Sequence, residues 1–208
     1  MQRFLRSTSI IDYQDADVRA LAAELVSDSE PQTVASRCFE WVRDNIRHSL
    51  DHNDDRVTIS ASEVLRHGTG LCYAKSHLLA ALLRANGIPC GLVYQRLAVD
   101  ETGNSFCLHG LNAVWLPDHA WYRIDPRGNR EGITTSFDPP RECLAFATSL
   151  LGEGLINEIF ADPLSVVVDA LTRCATMAEL CTALPDWKAE SSVKDLGKNN
   201  LGVYCEWK

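Results

Sequence analysis

The sequence predicts one helix-and-strand domain followed by a helical C-terminal extension. Three observations carry that expectation. Apolar residues recur at helical spacing in two runs before residue 50, a strongly apolar run follows a glycine-punctuated turn at 68–72, and two apolar-rich runs flank Pro117 as the arms of an antiparallel hairpin would. With 208 residues, 46% of them hydrophobic and 23% charged, the chain has the balance of a soluble globular protein. It is long enough to bury about 70% of its unfolded surface in one core. That excludes a disulfide mini-protein, a disordered tail and a fibre.

Val18, Leu21, Ala22, Leu25 and Val26 form the stripe of a first amphipathic helix, which ends in the polar run at 27–30. Pro31 opens a second helix, where its missing N–H costs nothing, and Val34, Cys38, Trp41, Val42 and Ile46 share one face. The acidic loop at 51–55 has carboxylates at its first, third and fifth places, but Arg56 and Ser62 stand where a calcium loop needs glycine and glutamate. Gly68 and Gly70 then lead into a helix whose first turn contains Cys72 and whose Leu/Ala content to Ala85 suits burial on most sides. A short buried strand at 88–94, a polar loop at 100–105 and a hairpin of 108–116 with 120–124 follow. Beyond Pro126 come a loop and three shorter helical stretches near 144–160, 163–174 and 176–184, and the polar tail from 188 to 208 is expected at the periphery.

Twenty basic against 28 acidic residues leave a net charge of −8, so neither nucleic acid nor an anionic membrane face is an expected partner. No run approaches the roughly 18 to 20 apolar residues that span a bilayer, and residues 1–11 lack the apolar centre of an export signal, so the expected location is the cytoplasm. The eight cysteines, at 38, 72, 90, 107, 143, 174, 181 and 205, form no C-x-x-C pair and read mostly as reduced, buried small hydrophobes. No metal centre and no cofactor is expected.

A thiol is a useful nucleophile only as thiolate, and a helix N-terminus favours negative charge. Cys72 occupies such a place, either as a nucleophile or as a buried cysteine at a helix start. A nucleophilic cysteine needs a histidine in reach and that histidine an orienting acceptor. His77 lies roughly 140° round the helix from Cys72. His109 starts the first hairpin strand, and a hairpin symmetric about Pro117 sets Asp125 directly opposite, with Cβ atoms about 4.5 to 5.5 Å apart on one face. His119 is six residues from Asp125 along the same strand, about 20 Å, and belongs to the turn. His48, His52 and His67 sit at helix ends or in loops, where solvation is expected. Taken singly, His109 reads as a hydrogen-bonded strand residue and Asp125 as a turn residue before Pro126. Their joint occurrence with Cys72 favours chemistry.

The run A-S-E-V-L-R-H-G-T-G-L-C-Y-A-K-S at 61–76, then L-R-A-N-G-I-P-C-G-L-V at 83–93, H-G-L-N-A-V-W-L at 109–116 and W-Y-R-I-D-P-R-G at 121–128, resembles the transglutaminase-like superfamily of papain-fold cysteine enzymes. With the helix around Trp41 the resemblance spans 31–128. It implies an α+β fold, a papain-like core in which the Cys-bearing helix packs on a small antiparallel sheet, with Cys72 as nucleophile, His109 as general base and acid, and Asp125 as orienting carboxylate. It divides the chain into a catalytic core at 1–128 and a helical extension at 129–208 packed on it. Three departures stand out. Gly91 takes a place where the family often has arginine, His48 one where it often has an aromatic, and Gly110 and Leu111 follow His109 where bacterial relatives commonly read Ala-Trp. The string His119-Ala120-Trp121 imitates that motif in the wrong place. The implied activity is acyl transfer from a peptide or amide-bearing substrate through a thioester, with hydrolysis by a protease or amidase favoured over transamidation to an amine. The rivals are a non-catalytic binding module of the same fold and, more weakly, a redox thiol at Cys72 with Cys90 or Cys107 as resolving partner.

Overall fold

The computed structural model describes residues 1–26, 30–100 and 103–187. The expectations for the polar run at 27–29, for part of the loop at 101–102 and for the tail at 188–208 lie outside them. After a 3₁₀ turn at Gln2–Leu5 comes helix α1 (Ala16–Leu25), where the Asp15 side chain accepts from the N–H groups of Asp17 and Val18 and supplies the cap. Helix α2 (Pro31–Asn45) has proline in its first turn, as its sequence predicts. Strand β1 (Arg47–His48) pairs in parallel with β2 (Thr69–Gly70). Between them lies helix α3 (Ala61–His67), which the reading of the sequence missed although Ser60 and Glu63 form a full capping box and Gly68 closes the helix at φ 63°.

Helix α4 (Cys72–Ala85) is the hub, and every residue from Cys72 to Arg84 is buried. Its leucines and alanines meet α1, α2 and α3 on one side and the sheet on the other. The sheet is antiparallel, in the order β5-β4-β3-β8, with β3 (Cys90–Ala98), β4 (Phe106–Leu116), β5 (Ala120–Ile124) and β8 (Gly154–Leu155). Leu92, Tyr94, Leu108, Val114, Tyr122 and Ile124 join the core with α4, while Val93, Leu111 and Ala113 pack on the other face with Trp121, Leu155 and Ile159. A small pair, β6 (Ser136–Asp138) with β7 (Arg141–Cys143), and helices α5 (Ser165–Arg173) and α6 (Met177–Thr182) complete the elements among the described residues.

Two expectations need correction. The stretch at 144–160 is not helical: Gly152 (φ 93°) and Gly154 interrupt it, and its backbone instead adds to the edge of β3 through Ile156 N–H to Tyr94 O and paired bonds between Phe160 and Leu92. The hairpin is centred on Asp118 rather than Pro117, because Leu116 pairs with Ala120. His119 N–H closes a turn on Leu116 O, and Ala120, the residue paired with Leu116, follows in the left-handed region at φ 57°. The shift carries the residue opposite Asp125 from His109 towards Leu111. It leaves both side chains on one face as diagonal neighbours, a separation that a histidine and a carboxylate can bridge.

Candidate active site

Cys72 stands at the first position of α4, which begins without a side-chain cap. The N–H groups of that turn, its own among them, remain available to an anion. Gly70 lets the preceding chain pass close by, since a Cβ there would lie 3.1 Å from Thr58 Oγ1 and 3.2 Å from the Ala74 methyl.

Strand β5 pairs with β4 only from Asn112 to Leu116. Before Asn112, among the described residues, the outward main-chain groups of β4 have no strand beside them, and the start of α4 comes up against that open edge. Gly110 N–H points at Cys72 Sγ (3.5 Å), and the Tyr73 hydroxyl donates to Leu108 O. A side chain at 110 would collide with Tyr73, whose Cδ1 and Cα lie 2.9 and 3.2 Å from an added Cβ. Glycine after His109 is thus a packing requirement of this chain.

His109 Nε2 and Asp125 Oδ2 are 2.8 Å apart, which leaves Nδ1 as the ring nitrogen to serve Cys72, whose sulfur interacts electrostatically with His109. Burial works against the imidazolium. The Asp125 carboxylate and then the Cys72 sulfur outweigh it by charge and hydrogen bonding, and the His109 pKa rises to about 10. Burial likewise opposes the Asp125 carboxylate, but His109 and the N–H groups of Ala145 and Arg127 hold its carboxyl below the ordinary value. Oδ2 accepts from Ala145 N–H at 3.0 Å and Oδ1 from Arg127 N–H at 3.1 Å. The structure therefore brings Cys72, His109 and Asp125 into one connected chain.

Residues the sequence reading did not single out build the surroundings. The Phe146 ring stands edge-on to His109 at 4.9 Å, and Gln95 Nε2 fixes the Phe146 carbonyl at 3.0 Å. Arg127 holds Asp51 in a two-pronged pair at 2.7 and 2.9 Å. Lys75, one turn after Cys72 and wholly buried, donates to the Arg43 and Ile46 carbonyls at the end of α2. Burial first, then Arg127, lower its pKa to about 7. A charged residue inside so apolar a run was the available signal for Lys75.

The other histidines fall elsewhere. His77 is buried, with Nδ1 donating to Ile59 O at 2.8 Å, and burial lowers its pKa to about 4. His119 belongs to the hairpin turn and His52 is exposed. His48 corrects an expectation of solvation: it is buried beside Asp51, Lys75 and Arg127, and burial, followed by Arg127, takes its pKa to about 3. The acidic loop that imitates a calcium site spends Asp51 on Arg127 and Asp54 on Arg47. Burial raises the Cys90 thiol to about 12 and the Cys107 thiol to about 11, which weakens both as resolving thiols. Gly91, the place of the missing arginine, lies under the C-terminal segment, where a Cβ would strike Ile159 and Phe160 O.

The family model of the transglutaminase-like superfamily matches residues 19–126, just over half of the chain and a span that includes Cys72, His109 and Asp125. Comparison with curated proteins finds no match. Among solved structures the chain is similar to a candidate cysteine protease from Cytophaga hutchinsonii, at 19% identity over 60% of this chain and 40% of that one, with a TM-score of 0.47. It is also similar to the periplasmic domain of TgpA from Pseudomonas aeruginosa, at 22% identity over 60% and 46% of the two chains, with a TM-score of 0.46. A candidate protease from Parabacteroides distasonis shows 15% identity over 68% and 30%, with a TM-score of 0.40. The chain spans less than half the length of each of these structures. On the match to its family model, the chain belongs to the transglutaminase-like superfamily.

Proposed function

We propose that the protein is a cysteine-dependent acyl-transfer enzyme that hydrolyses an amide or ester bond of a peptide or amide-bearing substrate. The observation that carries this reading is the connected Cys72, His109 and Asp125 chain at an uncapped helix start. The Cys72 thiolate attacks the carbonyl carbon and the C=O electron pair moves onto oxygen, where the Cys72 N–H stabilises it. Collapse of that intermediate expels the leaving amine, which takes the proton of the His109 imidazolium, and a thioester remains on Sγ. Water then attacks the thioester while His109 accepts its proton, the acid is released and the thiolate is restored. Asp125 holds the imidazole orientation throughout. An amine in place of water in the second half would give transamidation.

Mass spectrometry of the intact protein after mixing with p-nitrophenyl acetate tests the reading. An acetyl group on Cys72, absent from Cys72→Ala and lost with time in buffer, is expected. Faster loss to an added primary amine than to water would favour transamidation, and no adduct at Cys72 would overturn the proposal.

A further inference from the structure

The open edge of β4 holds one more occupant. Leu108 N–H faces outward two residues before the Gly110 N–H that meets Cys72, hence about 7 Å along the strand from it. It donates to the Pro185 carbonyl at 2.8 Å. The next residue, Asp186, is gripped by Arg96, whose Nε and Nη2 reach Oδ1 and Oδ2 at 2.6 and 2.7 Å. Arg96 lies directly opposite Leu108 in the β3–β4 register, so one cross-strand pair supplies both contacts. Trp187 follows, edge-on to Phe160 at 6.2 Å.

Arg96 does not depend on Asp186 for its place. Its Nη1 donates to Gly152 O at 2.9 Å, and its guanidinium carbon lies 3.7 Å from the centre of the Phe106 ring. A guanidinium held from two other sides is a preformed carboxylate receptor. A main-chain carbonyl on an edge N–H, with a side chain fixed beside it, is also how an extended peptide docks on a sheet edge. The neighbouring reactive groups are little exposed: Cys72 and His109 are 6% and 4% exposed and Asp125 not at all.

We propose that Leu108 and Arg96 form a subsite beside Cys72 for an extended acidic peptide, and that Pro185 and Asp186 occupy it as a competitor built into the chain. That the bound peptide is substrate rests on the proposed function, whereas its binding does not. A substrate would place a carbonyl on Leu108 N–H and the carboxylate of its next residue on Arg96, with the reacting carbonyl nearer Cys72.

The test is the fluorescence anisotropy of a labelled Ala-Leu-Pro-Asp-Trp peptide, the sequence of 183–187, titrated with the full chain as wild type and as Asp186→Asn. The variant, its edge released, should bind at least about tenfold more tightly than the wild type, because a tethered competitor acts at high effective concentration. A peptide with asparagine for its aspartate should lose about tenfold on the variant, the order expected for a charge-assisted pair. Adding Arg96→Gln to Asp186→Asn should erase the preference between the two peptides, with circular dichroism melting to show that the variant folds. Equal affinity of wild type and variant would overturn the built-in competitor, and indifference to the peptide's carboxylate, or no binding to either protein, would overturn the subsite. Iodoacetamide labelling of Cys72 in the same proteins separates the two readings. Binding as stated, with Cys72 no faster than the other buried thiols, would uphold the subsite and remove the nucleophile.

Discussion

Residues 61–128 and residues 141–187 contribute to one site in opposite ways. The first stretch supplies every reacting side chain, placed by regular elements: Cys72 by the start of α4, His109 by β4, and Asp125 just past the end of β5. The second supplies almost no regular structure near the site and acts largely through its backbone, with Ala145 N–H on Asp125, the Phe146 ring against His109, and the Pro185 carbonyl on the open edge of β4. Reactive groups are thus carried on rigid elements, while the segment that wraps them sets their orientation and access. Substitutions in the first stretch should act on the chemistry itself, and those in the second on its tuning.

The largest effect is expected at the reacting groups. Cys72→Ala should abolish the acetyl adduct while shifting the melting temperature little, and a large drop in melting temperature would instead mark a structural cysteine. Asp125→Asn, which reverses the hydrogen-bond sense offered to His109 Nε2, should cut the acylation rate by about 10⁴-fold, as loss of the orienting carboxylate does in other triads. An unchanged rate would remove Asp125 from the mechanism.

Stability should depend on pH through the buried histidines of the first stretch. The folded-state pKa of His77, about 4, lies below its unfolded value, so the stabilisation is present above pH ~6.5 and lost as pH falls toward 4. For so buried a group the loss amounts to about 3 kcal/mol. Urea unfolding at pH 7 and pH 4 should show that loss in the wild type and less of it in His77→Gln, whose amide can still donate to Ile59 O. His109 has the opposite sign. Its contribution is complete below pH ~6.5 and disappears as pH rises toward 10, and His109→Ala should flatten the alkaline side.

Gly110→Ala should cost about 1–3 kcal/mol of stability through the clash with Tyr73, and should slow acylation further by moving β4 away from Cys72. Phe146→Ala should be mildest, at about 1 kcal/mol for the lost edge-on contact with His109. If Phe146→Ala slowed acylation more than Gly110→Ala does, the contrast between the two stretches would fail.

The same contrast explains what the sequence alone disclosed. Helical spacing marked α1 and α2, a Leu/Ala-rich run after a glycine-punctuated turn marked α4, and two apolar-rich runs flanking Pro117 marked the hairpin, because those patterns are local. Cys72, His109 and Asp125 were legible as residue types in a telling order, and an imperfect register argument still paired His109 with Asp125, since a two-residue shift leaves the face unchanged. Main-chain donors such as Ala145 N–H carry no side-chain signal. The 144–160 stretch has apolar spacing compatible with a helix, yet it lies along β3, where tertiary pairing overrides local pattern. His48 read as a solvated loop residue because only the fold brings Asp51, Lys75 and Arg127 around it.

The most direct test of the central claim is the pH-dependent iodoacetamide alkylation of each cysteine, resolved by mass spectrometry, in the wild type and in His109→Ala. A working thiolate–imidazolium pair predicts that Cys72 reacts ahead of the buried Cys38, Cys90 and Cys143, and that this lead falls about tenfold or more without His109. A Cys72 that reacts no faster than those three, or that is indifferent to His109, would contradict it.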